Sequence, residues 1–339
     1  MPELGKIDRE FFDEIIYPHL GDERDDVVLG PQHGVDFGVI EVGDKMVAMA
    51  TDPVFIMPSL GFERAAWFAF HILFSDVAVS GLNPSHLSID FNLPPEITDD
   101  EFKTVWQTFD EEARDLGVSV VTGHTARYAG CNYPMVGGGT AVAVGDKDDL
   151  VTPTSARPGD RLIITKGPAV EATALLTVQF ESLMDLPQDT IQDAKDRFYD
   201  MSPVQDALTA SRAGPVTAMH DATESGVYGG LHELARASDV RLDVERDRIP
   251  VLPGIIEACG FFGIDPWISI SEGTLVMTVA PEGVDDVLKA LDDANIPAAD
   301  VGKASEGSGV YVDSEEIDHP GYDPFWGAFE EYMEKLQAE

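Results

Sequence analysis

The segment 46–84, MVAMATDPVFIMPSLGFERAAWFAFHILFSDVAVSGLNP, constrains this chain more than any other stretch. An apolar strand over 46–50 runs into Thr51-Asp52-Pro53. A helix follows whose far half carries Ser75-Asp76, and Gly81 and Pro84 stop it. Two carboxylates therefore stand at element ends in mostly apolar surroundings. A carboxylate in such a place must be solvated by something. Asp52 before a proline fits a turn or cap, Asp76 fits a helix residue bonded to backbone, and a bound cation could serve both.

At 339 residues the chain exceeds one ordinary core, so two domains are expected, 1–149 and 150–339, with the boundary near Asp149 where the composition shifts. The hydrophobic fraction of 44% is that of a globular protein. No uninterrupted apolar run is long enough to span a bilayer, and the charged start MPELGKIDRE lacks a signal core; the expected location is cytoplasmic. Sixty-two acidic residues face 22 basic ones, a net charge of -40. Phosphate backbones and anionic membranes would be repelled by such a surface, so neither nucleic acid nor membrane is an expected partner. The acids are spread over DERDD, TDDE, DEEARD, GDKDD, DVERD and DSEEID, a dispersal that suggests an acidic proteome adapted to high salt, a halophilic setting. Cys131 and Cys259 are the two cysteines, with no spacing that suits structural zinc.

In chain order, 9–20 reads as a helix. The loop GPQHGVDFG holds Asp36 before a strand that Gly43-Asp44 turns back into 45–52, bringing Asp36 within reach of Asp52. After Pro84 comes an alternating strand, then a helix over 98–116 capped by Thr98 with Asp99, Asp100 and Glu101 in its first turn. Residues 118–122 read as a short buried strand leading into Gly123-His124-Thr125. The following strand contains Gly137, Gly138 and Gly139, which mark either a bulge or the close approach of another backbone or of a ligand phosphate. In the second half, a strand from 216 ends at His220-Asp221, and Thr223, Ser225 and Gly226 open an amphipathic helix. That junction suits an N-cap and an anion site equally. Phe325, Trp326, Phe329 and Tyr332 recur at helical spacing in the last helix, a core pattern.

Together these residues resemble the superfamily of aminoimidazole-ribonucleotide (AIR) synthetase, with its thiamine-monophosphate kinase, selenophosphate synthetase and hydrogenase-maturation dehydratase branches. The motifs are Gly34-Val35-Asp36-Phe37-Gly38, Thr51-Asp52, Ser75-Asp76 through Gly81 and Pro84, Thr122-Gly123-His124-Thr125, His220-Asp221-Ala222-Thr223-Glu224-Ser225-Gly226, and Gly263-Ile264-Asp265-Pro266 with Glu272-Gly273. The resemblance implies a two-domain α/β (α+β) fold whose N-terminal domains form a barrel across a homodimer. It implies ATP in a cleft beside that barrel, with Asp36, Asp52 and Asp76 holding Mg²⁺ against the triphosphate. Thr51, Gly123, Thr125, Gly137 and Gly138 are the nucleotide-contact candidates, and Asp221, with His124, the catalytic candidates.

Three departures from the family pattern bear on the chemistry: Val35 stands for an acid, His124 for an acid, and Ser75 for asparagine. The hydrogenase-maturation branch carries its carbamoyl group on a C-terminal cysteine, whereas this sequence ends KLQAE. The selenophosphate branch uses an N-terminal cysteine or selenocysteine with a lysine, whereas here only Lys6 precedes the loop. The expectation is an ATP- and Mg²⁺-dependent enzyme that phosphorylates or phosphate-activates a small-molecule acceptor. The alternatives are a thiamine-monophosphate kinase-like phosphotransferase and a nucleotide-binding regulatory protein without turnover.

Overall fold

The computed structural model describes residues 9–338, so Lys6 lies outside the described residues. Two sheets carry the chain. The first is built from β1 (Val27–Leu29), β2 (Gly38–Val42), β3 (Lys45–Phe55), β4 (Pro84–Leu93), β5 (Ser119–Arg127) and β6 (Met135–Gly145), in the order β1-β2-β3-β6-β4-β5. The second is built from β7 (Arg161–Thr165), β8 (Val216–Asp221), β9 (Arg241–Val244), β10 (Leu275–Val279), β11 (Ala298–Ser305), β12 (Gly309–Val312) and β13 (Glu315–Ile317), in the order β13-β12-β9-β11-β7-β10-β8. No helix among the described residues is long and apolar enough to cross a membrane.

Helix Phe62–Ala78 is apolar almost all round because it is buried between the two sheets, with Phe68, Phe70, Leu73 and Phe74 fully enclosed. Helix Asp99–Leu116 covers its outer side and starts with the expected cap. The Thr98 side chain accepts from the Glu101 N–H, and the Glu101 carboxylate accepts from the Thr98 N–H. In the second sheet, successive residues of β7 point to opposite cores. Ile163 joins the core shared with the first sheet, while Leu162 and Ile164 pack beneath helix Gly226–Ala237. The shared core runs without a break from Ala48 and Phe74 to Met277 and Val287, so the two sheets are clamped together through apolar packing.

Several expectations need correction. The strand over 118–122 is neither short nor buried: β5 runs to Arg127 and is exposed along nearly its whole length, since it forms the outer edge of the sheet. The strand ending at Thr51-Asp52-Pro53 continues to Phe55, with Pro53 next to a register shift against β6 that accommodates its missing N–H. Glycines 137–139 do not break β6. A side chain on Gly137 would collide with the Asp90 carbonyl, and one on Gly139 with Leu73, so these two glycines let β4 and helix Phe62–Ala78 approach closely. The N-terminal helical segment is a short α-turn followed by wider and tighter turns through His19. At the start of helix Gly226–Ala237 neither Asp221 nor Thr223 caps; Ser225 takes the N-cap position, and its N–H donates to Asp323.

Candidate functional site

Five segments bring carboxylates to one place. The loop before β2 carries Asp36, and Gly34 allows that loop to lie against helix Gly226–Ala237, where any Cβ would meet the Glu233 carbonyl at 2.8 Å. Hairpin β2–β3 brings Asp52 alongside, paired in register with Gly139 of β6. The far half of helix Phe62–Ala78 supplies Asp76. From the second sheet come Asp221 at the end of β8 and Glu272 in the loop before β10. Asp36, Asp52, Asp76 and Glu272 all line one cavity of about 510 Å³ between the sheets.

The electrostatics record this convergence. Burial is the largest cause that pushes the Asp76 carboxyl well above its ordinary range, and the negative charges of Asp221, Asp52, Asp36 and Glu272 push it further. Glu272 is raised in the same way, first by burial and then by Asp221 and Glu171. Its Oε1 accepts a 2.5 Å hydrogen bond from Ser75, which ties the helix of the first unit to the loop of the second. Glu171 is pushed up to about 8, chiefly by burial; its Oε2 accepts from the Glu272 N–H at 3.2 Å. A cation bound among these acids would offset their mutual repulsion.

His220 forms the hinge of the arrangement. Its Nε2 lies 3.1 Å from Asp36 and 3.5 Å from Glu233, and its Nδ1 lies 2.6 Å from the Asp221 carbonyl oxygen. Burial lowers its pKa, but Asp36, Glu233 and Asp221 outweigh that and push it up to about 9, so the ring is a cation at neutral pH. One ligand atom each from Asp36, His220 and Asp221 falls within 4.8 Å of the others. The carboxylates that line the cavity offer only oxygen, which suits a hard cation such as Mg²⁺.

The remaining candidates lie apart. Thr51, Gly123, His124 and Gly138 line a separate hollow of about 430 Å³ over the open face of the first sheet, and Thr51 alone of these also borders the acid-lined cavity. Thr125 follows on the exposed β5, and Gly137 lies beside Asp90. His124 donates to or accepts from the Tyr128 hydroxyl at 2.7 Å. The two catalytic candidates, Asp221 and His124, are therefore not brought together.

Sequence reasoning gave no role to His220, Glu171, Glu233 or Glu272. The first and last stood within quoted motifs. Glu171 left one signal, a lone acid in the first turn of the otherwise apolar helix Val170–Phe180. Phe325, Trp326 and Phe329, expected in the core, also form a wall of the acid-lined cavity.

The fold defines a two-sheet α/β protein with an acid-lined cavity between the sheets. Residues 34–145 match the AIR synthase related protein N-terminal domain and residues 157–315 its C-terminal domain; the chain belongs to the AIR synthase related family. It is 28% identical over 265 residues to carbamoyl dehydratase HypE of Rhizobium leguminosarum bv. viciae, covering 76% of this chain and 73% of that protein. The crystal structure of E. coli HypE, a hydrogenase maturation protein, superposes with a TM-score of 0.70 at 25% identity, covering 82% of this chain and 87% of that one. AaThiL complexed with AMPPCP and TMP matches with a TM-score of 0.70 at 18% identity, covering 84% and 89%.

Proposed function

We propose that this protein is an ATP- and Mg²⁺-dependent enzyme that transfers the terminal phosphoryl group of ATP to an oxygen of a small-molecule acceptor, as a stable product or as an activating step. The observation that carries the reading is the convergence of Asp36, Asp52, Asp76 and Glu272 on one cavity that no lysine or arginine lines among the described residues. The likeness to solved structures of HypE in complex with ATP and of AaThiL complexed with AMPPCP supports a nucleotide as the ligand.

Asp36, Asp52 and Asp76 would hold Mg²⁺, which when bound neutralises the phosphate charge. The hollow lined by Thr51, Gly123 and Gly138, with Thr125 further along β5 and Gly137 beside Asp90, would receive the nucleotide. His220, fixed by Asp36 and Glu233, orients Asp36. Asp221 orients the acceptor or takes its proton as the acceptor oxygen bonds to phosphorus and the bond to the ADP oxygen breaks. Positioning and charge neutralisation supply most of the rate. Two copies pair along the exposed edge strand β5, closing the first sheet into a barrel.

The test is Mg²⁺-dependent ATP consumption and nucleotide binding by the full chain and by Asp36→Ala and Asp76→Ala. Loss in both variants is expected; full activity in both overturns the assignment. Assay against thiamine monophosphate separates the kinase-like alternative, and tight ATP binding without phosphate release from ATP for any acceptor separates the regulatory one.

A further inference from the structure

We propose that Ser202, His71 and Glu112 form a second reactive centre, a serine nucleophile with its general base, that hydrolyses small neutral esters with an aromatic part. The proposal is independent of the nucleotide reading. None of the three residues lines the acid-lined cavity. They come from helix Phe62–Ala78, helix Asp99–Leu116 and the segment just before helix Val204–Ala213.

The hydrogen bonds run in one line. The Ser202 hydroxyl donates to His71 Nδ1 at 2.7 Å, and His71 Nε2 donates to Glu112 Oε2 at 3.0 Å. A carboxylate only accepts, so Glu112 holds the proton on Nε2 and leaves the Nδ1 lone pair facing the serine. Nucleophile, base and orienting acid stand in the order that activates a hydroxyl. His71 is buried, whereas Ser202 and Glu112 are half-buried, so the base is shielded while the residue bearing the nucleophile reaches the surface.

The serine is also held from behind. Lys166 Nζ donates to the Ser202 carbonyl at 2.8 Å and to the Asp200 carbonyl at 3.1 Å, and lies 3.0 Å from the buried Asp206 carboxylate. These contacts keep Lys166 at a left-handed φ of 57°, a strained conformation for a side-chain-bearing residue. Pro203 fills the N-cap position of helix Val204–Ala213 without a side-chain cap, so the first-turn N–H groups next to Ser202 supply donors for an oxyanion. The Trp67 ring lies 4.2 Å from the His71 ring and 5.0 Å from that of Tyr199, which is 57% exposed. Such a shelf suits a flat aromatic group, and Glu112 together with the net charge of -40 disfavours an anionic one.

The Ser202 oxygen bonds to the ester carbonyl carbon as its proton passes to His71 Nδ1. The bond to the leaving oxygen then breaks, and that oxygen takes the proton from Nδ1. Water repeats the sequence on the acyl-serine, releasing the acid and restoring the hydroxyl.

The experiment uses the full-length protein with neither nucleotide nor Mg²⁺. A fluorophosphonate bonds to an activated serine oxygen with loss of fluoride. A single adduct on Ser202, located by peptide mass spectrometry, is expected, together with hydrolysis of phenyl acetate. Ser202→Ala should abolish both, and His71→Gln should lower both at least a hundredfold. Glu112→Gln should lower kcat at least tenfold with KM unchanged, a split that a merely structural contact would not give. No adduct on the unaltered protein, an adduct on other residues alone, or phenyl acetate hydrolysis unchanged in Ser202→Ala overturns the proposal. The adduct is read on the unaltered protein, so a variant that fails to fold does not remove the test.

Discussion

The Ser75 hydroxyl donates to Glu272 across the junction of the two units, although the two lie 197 positions apart in sequence. Both side chains are buried, Ser75 at 1% and Glu272 at 4% exposure. Removing the donor leaves a buried carboxyl group short of a partner. Ser75→Ala is therefore expected to destabilise the protein by about 1–3 kcal/mol, read as a lower denaturant midpoint in urea. An unchanged midpoint would mean that the bond contributes nothing to holding the units together.

Asp76 shows opposite effects on stability and function. In the metal-free protein its charge is opposed by burial and by four acidic neighbours. Asp76→Asn relieves that repulsion and should raise the melting temperature of the metal-free protein by roughly 1–3 °C. The same change should weaken the Mg²⁺ dependence of nucleotide binding about 100-fold or more, because a direct oxygen donor is lost. A variant that is both less stable and fully Mg²⁺-responsive would contradict the arrangement.

The pH dependence follows from groups that hold protons more tightly when folded. Asp76 and Glu272 are raised, Glu171 is raised from 4.5 to about 8, and His220 from 6.5 to about 9. A raised group contributes stability that is complete below its unfolded pKa and lost as pH climbs through the folded one. For Glu171 the loss begins above about 4.5 and is complete above about 8; for His220 it runs from about 6.5 to about 9, and Asp76 and Glu272 act in the same direction. Metal-free protein should thus lose melting temperature from pH 5 to pH 9. A cation competes with those protons, so stabilisation by Mg²⁺ should grow over the same range, and chelation should abolish the growth. A Mg²⁺ effect that shrinks as pH rises would refute the coupling.

Edge strand β5 presents Val120 at 40% and Val121 at 59% exposure, with open backbone groups along its length. Open apolar edges invite pairing. The protein is expected to run as a dimer in light scattering, and Val121→Asp to shift it towards monomer at micromolar concentration. A monomer before substitution would remove the proposed barrel.

The net charge of -40 predicts salt-dependent stability. Raising KCl from about 0.1 M to about 1 M shortens the screening length from about 10 Å to about 3 Å. The melting temperature should rise by roughly 4 °C or more. A flat response would detach the acidity from any adaptation to salt.

Local signals made several elements legible. Thr98 with Glu101 fixed a helix start, because both halves of the capping box lie within four residues. Gly43-Asp44 fixed the β2–β3 hairpin for the same reason. The burial of β5 was misread because a Val-rich run looks alike whether another strand covers it or not; its place at the sheet edge depends on residues far away. Glu171 escaped notice because nothing near it in sequence shows that Glu272 and Ser75 will meet it.

By itself the sequence determined the order of strands and helices, the motifs that carry Asp36, Asp52, Asp76 and Asp221, and a net charge of -40. These are properties of short windows, where backbone preference and side-chain period act. Only the tertiary structure decided that Asp36, Asp52, Asp76 and Glu272 share one cavity, that His220 joins Asp36 to Asp221, that His124 stands apart, and that Trp326 lines the site. Those outcomes arise from apolar packing between two sheets, which sets distances between residues that no local interaction relates.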